Sequence, residues 1–194
     1  MSMAIFMKRK IEHKHHQAGM KNHPKGEKVS NPDRLKYYIA LAIILLISFI
    51  AYLPVFHNGF LAWDDNAYIK NNPLIYSINL KEIFSQFVIG NYHPVTILTL
   101  ATEYHFFGLN ATGYHAVNLF LHLLNVILVF YTIYLLSAHA GVALVAALLF
   151  GIHPLHVETV AWAAELKDLL YTFFFLASYI FYLKYLKGLH KKFY

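Results

Sequence analysis

The stretch YYIALAIILLISFIAYLPVF, from Tyr37 to Phe56, contains no charged side chain over its 20 residues. As an α-helix rising ~1.5 Å per residue it extends about 30 Å, the thickness of the hydrocarbon core of a bilayer. A cleaved signal peptide is the alternative, but the preceding leader is long and no cleavage-site pattern of small residues follows at Tyr52–Asn58. The stretch therefore predicts a retained transmembrane helix.

The composition of the whole chain agrees with a membrane protein. The 194 residues are 58% hydrophobic and 13% charged, whereas soluble domains are about 45–50% apolar and about 25% charged. The mean hydropathy of +0.46 excludes a water-soluble globule, and the apolar content excludes disorder as the main state. The absence of cysteine from the sequence excludes a disulfide framework, a thiol nucleophile and a zinc–thiolate site.

The formal net charge of +6 lies entirely in residues 1–36, where nine basic side chains stand against three acidic ones. This pattern predicts a basic, disordered cytoplasmic tail that contacts anionic lipid headgroups. A metal site is the alternative use of its histidines, but we favour lipid contact because they lack a completed ligand set. The tail histidines are His13, His15, His16 and His23.

Three further apolar segments follow at Tyr114–Leu136, Gly141–Ile152 and Leu169–Leu186. The first and last are long enough to cross a bilayer. Gly141–Ile152 crosses only if its helix continues into the flanking residues at both ends, and a re-entrant hairpin is the alternative. We therefore predict an all-α membrane protein with about four transmembrane helices in a transmembrane portion covering 37–194.

Polar side chains recur at spacings of three and four within the second span. This pattern places them on one helical face, which must turn toward protein or water because polar groups are costly in lipid. Hydrogen bonding between helices, without any chemistry, is the role we favour for them. The four residues are His115, Asn118, His122 and Asn125.

A polar, aromatic-rich segment, 57–113, separates the first two predicted spans. Its Val95–Phe107 stretch contains Glu103 and His105 and is too short and polar to cross, so we expect amphipathic helices lying at the interface here. Both ends of the chain are basic. The positive-inside rule therefore places both termini in the cytoplasm and 57–113 outside as the first outer loop.

The adjacent acids Asp64 and Asp65 follow the first span by a few residues. A carboxylate at the membrane surface is a candidate general base for an acceptor hydroxyl, and aromatic neighbours raise the pKa of such a group. Adjacent side chains diverge in non-helical backbone, so only one of the two can face a given reacting atom. An ordinary solvated turn is the alternative, since Asp-Asp-Asn is common in turns.

The second outer loop, 153–168, is rich in ionisable groups. His153 and His156 can share a helical face, but Glu158 falls off it, so zinc binding is disfavoured. Lys167 is a candidate point charge for a phosphate. An interfacial cluster of ion pairs at the start of the last helix is the alternative for the whole loop.

An ordered series of short motifs resembles one known family. The series reads Trp63-Asp-Asp65, Asn72-Pro73, Asn91-Tyr-His-Pro94, Phe107-Gly-Leu-Asn110, Gly113-Tyr-His-x-x-Asn118, Leu121-His-x-x-Asn125, His153-Pro-Leu-His-Val-Glu158, then Val160-Ala-Trp162 through Glu165-x-Lys-Asp168. It is similar to the N-terminal part of the transmembrane and tetratricopeptide-repeat O-mannosyltransferase-like proteins and their bacterial relatives. These belong to the GT-C superfamily of polytopic glycosyltransferases, and the resemblance covers about Tyr37 to Leu186.

The resemblance implies inverting transfer of a sugar from a polyprenyl-phosphate donor to a hydroxyl of a protein or glycan, on the extracytoplasmic side. It assigns the base to Asp64, with Asp65 as second choice. We expect no cofactor, with a divalent metal as the disfavoured alternative, and no nucleic-acid partner. The residues expected around the donor phosphate or the acceptor are His93, His153, His156, Glu158 and Lys167.

Two departures from the family pattern affect these expectations. The family has Arg where this chain has Leu166, which removes a bidentate partner for phosphate. The family also has further spans and C-terminal repeats, so we expect a truncated portion or a protein completed by a second chain. The rival predictions are a non-catalytic remnant or partner subunit of such an enzyme, and a small transporter subunit with the His/Asn face lining a path.

Overall fold

The structure, a computed structural model, describes residues 31–188 of the chain. The chain divides into two compact units, 1–35 and 36–194, and the candidate site lies in the second. Most of the predicted basic tail lies outside the described residues, as do its four histidines. The prediction that this tail is disordered and contacts lipid therefore stays a prediction.

Helix α1 covers Asn31–Tyr52 and continues as a short 3-10 helix, Leu53–His57. It begins at Asn31 rather than at Tyr37, because helical hydrogen bonding need not stop where the apolar run starts. Arg34 and Lys36 are exposed in this first part, and long basic side chains are suited to the headgroup level beside an apolar span. Arg34–His57 is long and apolar enough to cross a membrane.

The segment after α1 is a loop built from short helical turns and two helices, α2 (Leu80–Ile83) and α3 (Pro94–Phe107). Asn79 begins α2 by accepting a hydrogen bond from the Glu82 backbone N–H, and a proline begins α3. The segment is anchored by apolar side chains that are almost wholly buried. They are Tyr68, Ile69, Leu74, Ile75 and Ile83.

The two longest spans after α1 are α4 (Ala111–Ser137) and α7 (Leu166–Leu186). Helix α4 packs against both α7 and α5 (Ala140–Ile152), and it is the centre of the bundle. The helix α5 leads into a 3-10 turn and then α6 (Val157–Ala161), with a bend of 49° between the two apolar parts. Among the described residues, three helices can cross a membrane, or four if the bent pair is one span. The predicted all-α membrane fold is confirmed.

The polar face of α4 turns inward, as its spacing predicts. His115, Asn118, His122 and Asn125 are all 1% exposed or less. The Asn118 and Asn125 amides donate to the carbonyls of Trp162 and Leu169, at 2.9 and 3.0 Å. The ring of His122 lies 3.0 Å from the Gly151 carbonyl. His122 and Asn125 thus join α5 and α7 to α4 through backbone carbonyls, the interhelical role that we favoured, and Asn118 joins α4 to the turn between α6 and α7.

Close packing between α3 and α4 depends on Gly113. A Cβ placed there would lie 2.4 Å from Cγ of the Phe107 ring and 2.8 Å from Cβ of Phe107, and the position of that Cβ is fixed by the backbone. We expect Gly113→Ala to lower the free energy of unfolding by about 1–3 kcal/mol, because the cost of overpacking is larger than the gain from the higher helix propensity of alanine. Unfolding in mixed micelles measures this. Gly141→Ala is the matched control, since a Cβ there meets nothing within 4 Å; equal stabilities of the two variants would contradict this packing.

Helix α3 contains an acid that is 4% exposed, Glu103. Its Oε1 has no hydrogen-bond partner among the described residues, and burial raises its pKa from 4.5 to about 9. The folded chain therefore keeps a proton that the unfolded chain loses above pH 4.5. The free energy of unfolding must fall as pH rises between these two values.

We expect Glu103→Gln to remove this pH dependence. The wild type should lose stability with a slope approaching about 1.4 kcal/mol per pH unit between pH 5 and pH 8, while the variant, which has no proton to lose, stays level. Unfolding in mixed micelles at several pH values tests this. Parallel profiles for the two proteins would show that Glu103 ionises alike in the folded and unfolded states.

Candidate functional site

Asp65 is fully buried and ties the first outer loop to the start of α7. Its Oδ2 accepts a hydrogen bond from the Leu61 N–H at 2.7 Å, and its Oδ1 accepts one from the Ala164 N–H at 2.8 Å. Burial raises the pKa of Asp65, and these two hydrogen bonds lower it in part. Both oxygens are thus occupied. The Ala164 donor is 99 positions from Asp65 in the chain, and the Leu61 donor is four positions from it. Asp65 therefore holds two distant parts of the chain together.

Asp64 points differently from its neighbour. Its side chain is 40% exposed, and its Oδ2 lies 3.8 Å from Nζ of Lys167. Lys167 also contacts Glu165 at 3.0 Å, and its Nζ lies 5.7 Å from the centroid of the Tyr68 ring. The two adjacent side chains point apart as expected, although residues 64 and 65 are helical and not in the non-helical backbone that the expectation assumed. One carboxylate is used internally and the other is accessible.

A cleft of about 640 Å³, here called the His93 cleft, opens beside Lys167. Its walls come from the start of α3 and from the first turns of α7. Along α7 the lining changes from polar, at Lys167 and Asp168, to apolar, at Leu170, Tyr171 and Phe174, and the last two are exposed aromatics. The other wall comes from residues at and just before the start of α3: Asn91, Tyr92, His93, Pro94, Val95 and Thr96.

A second cleft of about 630 Å³, here called the tryptophan cleft, lies between the end of α1 and helix α6. The rings of Trp63 and Trp162 lie 6.2 Å apart along it, tilted by 53°. Glu158 lines the same cleft as Trp63, so the two outer loops fold back on each other. The remaining lining residues are His57, Asn58, Gly59, Leu61, Val157 and Ala161.

The sequence-predicted residues thus separate into three groups. Asp64, Lys167 and His93 lie at or beside the His93 cleft, while Glu158 lines the tryptophan cleft. His153 and His156 line neither.

The two loop histidines contact each other edge to face near the end of α5. Their rings lie 6.0 Å apart, and the ring of His156 lies 4.4 Å from Phe150 and 5.9 Å from His122. His153 accepts a hydrogen bond from the Leu155 N–H through Nδ1, so it begins the turn that follows α5. Within residues 31–188, no group of three His, Asp or Glu side chains is arranged to hold a metal ion.

Several residues in or beside the two clefts are not among the site residues predicted from sequence. Asn91 and Asp168 lie inside motifs of the family series, so the motif boundaries were the available signal. Glu165, which contacts Lys167, and Trp162, which faces Trp63, became candidates only once the loops were seen to meet.

Three known proteins with similar sequences are named as protein O-mannosyl-transferases. The chain is 31% identical over 188 residues to "Protein O-mannosyl-transferase F38B6.6" of Caenorhabditis elegans, covering 89% of the chain and 27% of that protein. It is 30% identical over 154 residues to "Protein O-mannosyl-transferase TMTC3" of Mus musculus, covering 73% of the chain and 17% of that protein. It is 28% identical over 175 residues to "Protein O-mannosyl-transferase TMTC4" of Mus musculus, covering 78% and 24%.

The chain therefore spans about a quarter or less of the length of these relatives. No family model and no solved structure matches it. The similarity nevertheless extends over most of the chain, including the loops that carry the two clefts. The resemblance predicted from the ordered motifs is confirmed: over this span, the chain is a relative of the transmembrane and tetratricopeptide-repeat O-mannosyltransferase-like proteins.

Proposed function

We propose that the chain forms the part of a membrane glycosyltransferase that binds the sugar donor. The enzyme moves a mannosyl group from a polyprenyl-phosphate carrier to a hydroxyl of a protein. The observation that carries the proposal is the contact of 3.8 Å between Asp64 and Lys167 at the His93 cleft. It sets an accessible carboxylate beside an ammonium group. A sugar-phosphate linkage bound beside them, with the contact between the two side chains opened, would have both a base and a cation within reach.

The His93 cleft has the polarity that a lipid-linked sugar phosphate requires. The Lys167 ammonium offers positive charge to a phosphate, and His93 and Asn91 line the same cleft. Tyr171 and Phe174, 72% and 54% exposed, extend the apolar lining along the surface of α7. A polyprenyl chain in the bilayer would lie against these rings, because burying apolar surface is favourable there.

Asp64 is the better candidate for the base because its carboxylate is accessible, whereas both oxygens of Asp65 are already occupied. In the proposed step, Asp64 accepts the proton of the acceptor hydroxyl as its oxygen bonds to the anomeric carbon. The bond between that carbon and the phosphate oxygen breaks, and its electron pair leaves with the polyprenyl phosphate. Lys167 stabilises the charge on the leaving phosphate. Attack opposite the leaving group inverts the anomeric centre.

The proposed reaction takes place on the extracytoplasmic side. The basic tail favours a cytoplasmic N-terminus, and an even number of crossings puts the C-terminus on the same side. With α5 and α6 as one bent span, the loop that carries Asp64 lies outside, and Glu158 lies on α6 toward the outer end of that span. A hairpin that re-enters the membrane would instead leave three crossings and separate the two termini.

Substitution at Lys167 tests the proposal. Membranes containing the chain are incubated with radiolabelled polyprenyl-phosphate mannose and a threonine peptide, and label in the peptide is counted. We expect Lys167→Met to lower transfer about 10²–10³-fold, since it removes the cation from the departing phosphate. Lys184→Met, near the other end of the same helix, should transfer like the wild type. Equal transfer by both variants would contradict the phosphate role, and no transfer by the wild type would favour a non-catalytic partner subunit.

A further inference from the structure

The tryptophan cleft differs from the His93 cleft in charge. Among the described residues that line it, none is Lys or Arg, and its acidic side chain is Glu158. A lipid phosphate needs a cation, which Lys167 supplies in the His93 cleft beside Asp168 and which no lysine or arginine supplies here. The ionisable residues that line the tryptophan cleft are Glu158 and His57, and Glu158 favours a neutral or positively charged ligand.

The surfaces of the cleft suit an extended peptide. Trp63, 79% exposed, and Trp162 supply aromatic faces, while Asn58 supplies an amide. Exposed tryptophan in a concave site is typical of protein recognition, because the ring buries a large area at little cost in conformational entropy. The volume of about 630 Å³ lies within the ~300–1,000 Å³ usual for ligand sites.

The position of the cleft connects it with the proposed chemistry. Trp63 lines it, while the next residue, Asp64, turns to Lys167 and the His93 cleft. The turn that holds the candidate base therefore separates the two clefts. A segment lying across Trp63 can present a hydroxyl to Asp64 from the side opposite the donor.

We infer that the tryptophan cleft binds the acceptor, a hydroxyl-bearing polypeptide segment with basic residues near the hydroxyl. Glu158 selects the positive charge, and the two indole rings hold the backbone and apolar side chains. This inference rests on the proposed function, because it assigns the second substrate of that reaction.

The chain supplies its own probe for this binding. It has two tryptophans, Trp63 and Trp162, and both line the cleft. All intrinsic tryptophan fluorescence thus reports on this cleft. The purified chain in detergent micelles, which contain no second protein, is titrated with a capped heptapeptide that contains one threonine flanked by two lysines and no tryptophan. We expect a saturable shift of the emission to shorter wavelength as the peptide excludes water from the rings.

Two substitutions locate the binding. Gly59 lines the cleft, and a Cβ added there meets nothing within 4 Å, so Gly59→Leu fills the cleft while the fold is kept. We expect it to weaken peptide binding at least ~10-fold by steric exclusion, whereas Gly141→Leu, also in open space, leaves binding unchanged. Glu158→Gln should weaken binding about threefold, the size of an exposed ion pair. Replacing the two peptide lysines with glutamates should weaken it further.

The outcomes separate this inference from the proposed function. A saturable shift that Gly59→Leu removes supports the acceptor site, whether or not sugar is transferred. Peptide binding with no transfer by the wild type keeps the site and removes the proposed reaction. An absence of any shift, or a shift that Gly59→Leu and Glu158→Gln leave unchanged, overturns the acceptor site even if donor turnover is found. Lys167→Met, in the other cleft, should reduce transfer and leave the fluorescence titration unchanged.

Discussion

Asp64→Asn is expected to lower mannosyl transfer by about 10²–10⁴-fold, the range typical of a lost general base. The amide keeps the shape of the side chain but cannot accept the proton of the acceptor hydroxyl. Because the Asp64 side chain is 40% exposed and its contact with Lys167 is 3.8 Å long, the fold should not depend on it. The effect should therefore appear in turnover rather than in the amount of folded protein in the membrane.

The measurement is label transferred to a threonine peptide per mole of folded protein. The matched control is Glu82→Gln, which replaces an acid of the same outer loop that lies outside both clefts. We expect this control to transfer sugar like the wild type. Equal transfer by Asp64→Asn and the wild type would remove Asp64 from the base role.

Asp65→Ala, in contrast, is expected to affect the stability of the fold. It should lower the free energy of unfolding by about 2–4 kcal/mol. It removes the acceptor of two backbone N–H groups, those of Leu61 and Ala164, and each buried donor left without a partner costs about 1–3 kcal/mol. Asp65→Asn should recover part of the loss, since its one amide oxygen can still accept one of the two hydrogen bonds. Unfolding in mixed micelles measures both.

The neighbouring Asp64→Ala provides the comparison for this prediction. A partly exposed ion pair is worth about 0–1 kcal/mol, so Asp64→Ala should unfold almost like the wild type. Similar losses of stability in the two alanine variants would contradict the division of roles between the adjacent acids. Together, the two predictions assign chemistry to one carboxylate and structure to the other.

The helical architecture could be predicted from sequence because membrane spans depend on local apolar length. The spacing of His115, Asn118, His122 and Asn125 also predicted the inward face of α4 correctly, since polar groups in a bilayer must turn toward protein. The candidate site could be predicted only in part. Asp64 and Lys167 are separated by a hundred residues of chain, and no local pattern reports that distance.

The different environments of Asp64 and Asp65 could not be predicted from the sequence either. Divergence of the two side chains was expected, but which one turned inward depended on the Ala164 N–H, which is 99 residues away. His153 and His156 show the same limit. Their spacing and loop position suggested a role at a substrate, which stays a prediction; in the structure His156 contacts Phe150 of α5, and neither histidine lines a cleft.

The central claim is that the first outer loop and the start of α7 form one site on the outer side of the membrane. Because the sequence has no cysteine, the double variant Asp64→Cys, Lys167→Cys can be cross-linked in intact cells with a membrane-impermeant bis-maleimide and the linked peptides identified by mass spectrometry. We predict a cross-link between positions 64 and 167 without permeabilisation. A link that forms only after permeabilisation would contradict the proposed side of the membrane, and no link under either condition would contradict the site itself.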